Sequence, residues 1–131
     1  MSAPEEAREL LAIAERELTS LRAMLSPQIA TEVFGFVAQQ ALEKSLKAWL
    51  TAIGVTYPRV HDLFALIALL AQYQQDVEWL PEMSDMNPYA VELRYTSPPT
   101  PLDLDRQDAI ERVERVVERV KGLVAEAPPT A

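Results

Sequence analysis

Cysteine is absent from all 131 residues, and histidine occurs once, at His61. The first absence excludes disulfides, thiolate metal sites and cysteine nucleophiles, and it suits a reducing compartment. The second leaves no multi-histidine metal centre to build. No apolar run reaches the roughly 18 residues that a membrane-spanning helix needs, and the opening MSAPEEAREL is acidic where a secretory leader would be basic. A soluble cytoplasmic protein without membrane association is expected. Glycine numbers only three, so no Gly-rich phosphate cradle is available, and neither His-Glu-x-x-His nor a Ser–His–Asp arrangement can be assembled. Basic residues are outnumbered, 12 against 20, for a net charge of −8. A surface built to coat duplex DNA or long RNA through its phosphates is therefore not expected, although a local basic pocket remains compatible. No metal and no cofactor is implied.

What is present is globular: 49% apolar and 24% charged residues. A chain of this length fits one domain, residues 1–131, able to bury roughly two-thirds of its unfolded surface. The tail over about 125–131, EAPPTA at its end, is expected to be frayed. Period-two alternation is missing, and helical spacing recurs instead. A first helix is expected from Ala3 to Leu25, with Ser2 as N-cap and a seam of Leu11, Ala14, Leu18, Leu21 and Leu25. A second runs from Gln28 to Ile53, closed by Gly54, with Leu42, Leu46, Trp49 and Ile53 on one face and Val33, Phe36 and Val37 opposite. A third starts at His61-Asp62, carries Leu63, Phe64, Leu66, Ile67 and Leu70, and ends near Asp76.

A Pro-studded segment then admits one short helix, Asn87 to Arg94, with Asn87 as N-cap. Trp79, Met83 and Met86 beside it read as core plugs more readily than as a partner surface. The last helix spans Leu104 to Val124, with Asp103 or Asp105 at its start and a seam of Ile110, Val113, Val117, Val120 and Val124. Asp108 with Arg112, and Glu111 with Arg115, are acid-before-base pairs worth about 0.2–0.5 kcal/mol each. The fold expected is all-α: an up-and-down-like bundle of four long helices plus one short helix.

The second helix contains FVAQQALEKSLKAWL, Phe36 to Leu50, in which a polar ladder overlies the apolar pattern. Gln40, Lys44 and Lys47 rise from one face, away from Leu42, Leu46 and Trp49, with Glu43 at the edge. By spacing alone this is a solvated stripe. Gly35, which weakens a helix by about 1 kcal/mol relative to alanine, suggests a close helix approach, as at a dimer seam.

The ordered set Phe36, Gln39-Gln40-Ala41, Glu43-Lys44, Leu46-Lys47-Ala48, Leu50, Gly54, His61-Asp62-Leu63 and Arg94-Tyr95 resembles the HEPN domain family of prokaryotes. The resemblance implies a helical bundle that commonly dimerises and binds nucleotide or RNA. It also implies a partner, since many members are encoded beside a small nucleotidyltransferase as a toxin–antitoxin pair. On this basis the ligand-binding candidates are Gln40, Lys44, Lys47, Arg94 and Tyr95. Lysine and arginine would meet phosphate, and the phenol ring would stack on a base. The alternative for the last two is a salt bridge from Arg94 to an acid such as Glu43, with Tyr95 plugging the bundle end.

Ribonuclease members of the family carry Arg, four to six residues, then His. Here Arg59 precedes His61 too closely, and no histidine follows Arg94. His61 and Arg59 are thus weak catalytic candidates, and His61 reads first as a helix-start residue whose ring packs or hydrogen-bonds locally. The expected function is a non-catalytic or weakly catalytic module that binds a nucleotide or a nucleotidyltransferase partner, with an RNase toxin using His61 and a purely structural dimerisation domain as alternatives.

Overall fold

Ser2 starts the first helix, α1 (Ala3–Ala23): its Oγ accepts the Glu5 amide at 3.3 Å, and Pro4 stands in the first turn, where its missing N–H leaves no bond unmade. The computed structural model describes residues 2–90 and 104–126. The other helices are α2 (Thr31–Ala52), α3 (Leu63–Gln72) and α4 (Arg106–Glu126), with a 3₁₀ turn at Asn87–Ala90. Among the described residues there is no strand, and the helices pack on one another as the all-α expectation required.

The boundaries show where local chemistry overrode periodicity. α1 stops at Ala23, so Leu25 is 44% exposed rather than part of the seam. Ser26 then forms a turn, its Oγ taking the Gln28 amide at 3.2 Å and its carbonyl the Ile29 amide at 3.1 Å, which delays α2 to Thr31. Arg106, from the start of α4, holds this connection: its guanidinium donates to the carbonyls of Met24 at 2.8 Å, Ser26 at 2.7 Å and Ile29. The same group lies 5.4 Å from the centre of the Phe34 ring. Asp105 caps α4 by accepting the Asp108 amide at 3.0 Å.

Gly54 ends α2 as expected, at φ +80°, with Gly54 N–H bonded to Thr51 O and Val55 N–H to Leu50 O, both at 3.0 Å. α3 ends by the same bond pattern without a glycine. Gln74 adopts φ +60°, its N–H reaching Ala71 O at 3.0 Å and that of Gln75 reaching Leu70 O at 3.1 Å. The helix therefore stops before Asp76, and Gln75 is placed so that its Oε1 accepts Trp49 Nε1–H at 3.0 Å. Trp49 in turn lies 5.8 Å, centre to centre, from Trp79.

Helix α2 is the centre of the bundle, packing against α1, α3, α4 and the 3₁₀ turn. Leu11, Ala14, Leu18 and Leu21 of α1, Leu42, Leu46 and Trp49 of α2, and Ile110, Val113, Val117 and Val120 of α4 form one buried core, joined by Met83 and Met86. Each such aliphatic side chain contributes about 1.5–3 kcal/mol when fully buried. Val33, at 50% exposure, and Phe64, at 46%, remain largely outside it.

Gly35 is buried against Tyr89 of the 3₁₀ turn, and a Cβ there would fall 2.4 Å from the phenol ring. The close approach inferred for this glycine is thus made by the chain's own tyrosine, lying flat on the α2 backbone. Of the short helix expected to Arg94, the part over Asn87–Ala90 is a 3₁₀ turn, and residues 91–94 lie outside the described residues. Asn87, at the start of the turn, clamps α3, accepting the Leu63 amide at 2.9 Å and donating to Asp62 at 3.0 Å. On α4, Arg112 pairs with Asp108 at 3.0 Å and forks onto Asp85 at 2.8 and 2.9 Å, whereas Glu111 and Arg115 form no ion pair among the described residues.

Candidate functional site

Fifteen residues of α2 are buried, and they include members of the polar ladder. The row expected to face solvent lies largely inside, because α1 and the segment leading into α3 cover it. Glu43, placed at its edge by spacing, is its centre and has no solvent exposure.

One carboxyl oxygen of Glu43, Oε1, is 2.8 Å from Nδ1 of His61 and 3.5 Å from Nε2 of Gln39. The other, Oε2, lies 3.4 Å from Nζ of Lys47 and 3.5 Å from Nζ of Lys44, without a well-aligned hydrogen bond to either. Gln39, also fully buried, donates to the backbone carbonyl of His61 at 2.7 Å. Gln40 donates to Gln39 Oε1 at 2.7 Å and accepts from Lys44 at 3.5 Å. A buried carboxylate is tolerated only when opposed in this way. The helix supplies the spacing, since Gln39, Glu43 and Lys47 are four residues apart and share one face.

His61 is fixed by this network and by its neighbours. Asp62 Oδ1 caps α3 by accepting the Phe64 amide at 3.0 Å, while Asn87 holds both Asp62 and Leu63. The His61 ring remains 55% exposed, and with Nδ1 engaged by Glu43 its other nitrogen has no protein partner among the described residues. Lys44 and Lys47 differ sharply. The Lys44 side chain is 25% exposed, whereas that of Lys47 is 9% exposed and its ammonium sits 5.1 Å above the Tyr57 ring. Lys44 is open to solvent; Lys47 is a buried positive charge.

Glu17 of α1 adds a group that sequence reasoning missed. Burial, offset in part by the Lys44 ammonium and reinforced by Glu43, pushes its carboxyl up to about 7. The signal was present: Glu17 follows Ala14 by three residues and precedes Leu21 by four, so it has the phase of the buried seam.

Arg59, two residues before His61, takes no part in the Glu43 contacts. It lines a cavity of about 330 Å³ with Glu6, Thr51, Thr56 and Tyr57, between the start of α1 and the end of α2. Burial, then the negative charge of Glu6, raises the Tyr57 hydroxyl above its ordinary value. Arg94 and Tyr95 lie outside the described residues. The structure therefore brings Gln40, Lys44, Lys47 and His61 together, with Gln39 and Glu43 as the partners that join them.

A chemistry of two kinds is available here. Lys44 and Gln40 offer donors to an anion, and a histidine oriented by a buried carboxyl group can move a proton at its free ring nitrogen. No helix among the described residues is long and apolar enough to cross a membrane. A model of the HEPN domain family matches residues 7–123. Comparison with curated proteins and with solved structures gives no match.

Proposed function

The chain belongs to the HEPN domain family, and from that premise we propose that it is a binding module whose Gln40–Lys44–His61 face receives the phosphate of a nucleotide. That nucleotide is either free or carried by a small nucleotidyltransferase partner, with which the chain forms a toxin–antitoxin pair. The observation that carries this reading is the buried Glu43 carboxyl group shared by two lysines and a histidine. Two ammonium groups against one carboxylate leave a local positive charge in a chain whose net charge is −8. In this reading Lys44 meets the phosphate and Lys47 supports it electrostatically. Arg94 adds a bidentate contact, Tyr95 stacks on the base, and a homodimer presents two such faces.

Calorimetric titration with ATP and other nucleotides tests the ligand. Charge-assisted contacts contribute about 1.5–3 kcal/mol each, so Lys44→Ala with Arg94→Ala should weaken binding at least tenfold. No binding at millimolar nucleotide rules the ligand out and leaves a purely structural interaction domain, whereas binding unchanged in the double variant removes the ligand from this face. Copurification with a nucleotidyltransferase tests the partner.

A second reading, RNA cleavage through His61, is favoured by the 2.8 Å Glu43–His61 contact and the exposed ring. The family's Arg-x(4–6)-His spacing is missing, and Arg59 lines a cavity whose walls do not include His61. Cleavage of RNA that disappears in both His61→Ala and Glu43→Gln would move the assignment to a ribonuclease.

A further inference from the structure

Glu17 belongs to none of the contacts that build the Glu43 cluster, yet α1 packs on α2 and the charges of Lys44 and Glu43 act on it across that interface. Its α1 neighbours in the seam, Ala14 and Leu21, are fully buried. Its Oε2 is withdrawn from solvent with no hydrogen-bond partner, and Glu17 forms no ion pair among the described residues. The charges that act on it are Lys44 and Glu43 from α2 and Arg16 from its own helix. The acidic and basic residues that α4 turns toward α1, Glu114 and Lys121, are engaged by Arg22 at 2.6 Å and Glu15 at 3.9 Å.

An unpartnered carboxyl oxygen in such a place is tolerable when the group carries a proton and unfavourable when it is ionised. Ionisation would also put a second carboxylate beside Lys44, whose charge Glu43 already half occupies. We propose that Glu17 is a proton-operated counter-charge to Lys44: protonated, it leaves the ammonium available to an anion, and ionised, it competes with that anion. The site is then tighter on the acidic side of neutrality. This regulation rests on the nucleotide-binding reading above, and supplies it with a proton dependence. The desolvated carboxyl, pushed up to about 7, puts the change in the neutral range.

Carbon-detected NMR of the Glu17 carboxyl in the free protein tests the coupling without a ligand. The expected midpoint is near 7, moving upward in Lys44→Ala, because the ammonium holds it down. A midpoint in the ordinary carboxylate range, or one indifferent to Lys44→Ala, overturns the proposal. ATP titrations at pH 6 and pH 8 then compare the wild type with Glu17→Gln, so that protonation of the nucleotide itself cancels. Between those pH values the wild type should lose about threefold to tenfold more affinity than the variant. Equal losses refute the gating role. Absence of ATP binding at both pH values removes that role together with the ligand reading, while a Lys44-dependent midpoint near 7 would still establish the carboxyl–ammonium coupling.

Discussion

Replacing Gly35 with alanine should destabilise the protein, although the same change in an open helix would help it. Within α2 the gain in helix propensity is about 1 kcal/mol. Against this, the new Cβ would stand 2.4, 2.5 and 2.6 Å from Cδ1, Cγ and Cε1 of Tyr89, well inside van der Waals contact. Tyr89 is only 1% exposed, so its ring has nowhere to retreat without leaving the core. Forcing an extra carbon into a packed interior costs about 1–3 kcal/mol, and expelling an aromatic ring costs about 3–5. After the propensity gain, a net loss of about 1–3 kcal/mol is expected, with a Tm lower by several degrees.

Urea denaturation followed through the fluorescence of Trp49 and Trp79, which lie together in the bundle, measures it. In a Tyr89→Ala background the obstruction is gone, so Gly35→Ala should become neutral or stabilising, giving a clear coupling energy in the double-mutant cycle. A single variant as stable as the wild type, or more stable, would refute the reasoning, as would additive effects of the two substitutions.

Three further outcomes follow from the same packing. Glu43→Gln leaves the Lys47 ammonium buried without its counter-charge and should cost about 3 kcal/mol in urea denaturation, most of it recovered in Glu43→Leu with Lys47→Met. Arg106→Ala strips donors from three carbonyls of the α1–α2 connection and should cost about 2–3 kcal/mol. Amide exchange there should accelerate, with Arg106→Lys recovering less than half the loss. For Glu17 the sign is that of a raised carboxyl. Below about 4.5 both folded and unfolded chains hold the proton, and between 4.5 and about 7 only the folded chain does, so stability falls as pH rises through that window. The full shift would amount to about 3 kcal/mol. Because the side chain is only partly buried, screening reduces this to about 1–2 kcal/mol, and Glu17→Gln should be more stable than the wild type by that amount at pH 8 in urea denaturation.

Most of the fold was legible because it depends on local periodicity. Apart from exposed Leu25 and partly buried Ile53 and Val124, the seams of α1 and α4 and the Leu42, Leu46 and Trp49 face of α2 are buried as their spacing implies, and Gly54 and Ser2 mark ends that follow from backbone geometry. The misplaced boundaries have local causes. Ser26 competes for amides before α2, and Gln74 takes the left-handed conformation that a glycine would have announced.

The site was half legible. Spacing grouped Gln40, Lys44 and Lys47 but assigned them to solvent, since an amphipathic pattern cannot reveal that another segment covers the polar face. That cover comes from Tyr57 and His61, whose contacts with Lys47 and Glu43 are tertiary. Glu43 read as an edge residue for the same reason: four partners converge on it, and two of them, His61 and Lys44, are not at its i±4 positions. Glu17 was hidden by its type, an acid occupying a position whose phase is apolar.

The central claim, that the face organised by Glu43 holds a phosphate-bearing ligand, is tested most directly by amide and side-chain NMR shifts of the protein during titration with ATP. Saturable shifts should concentrate on Gln40, Lys44, His61 and Asp62 and spare the exposed face of α4 around Glu118 and Lys121. No saturable shift, or shifts gathered around Glu6, Thr56 and Arg59 instead, would contradict it.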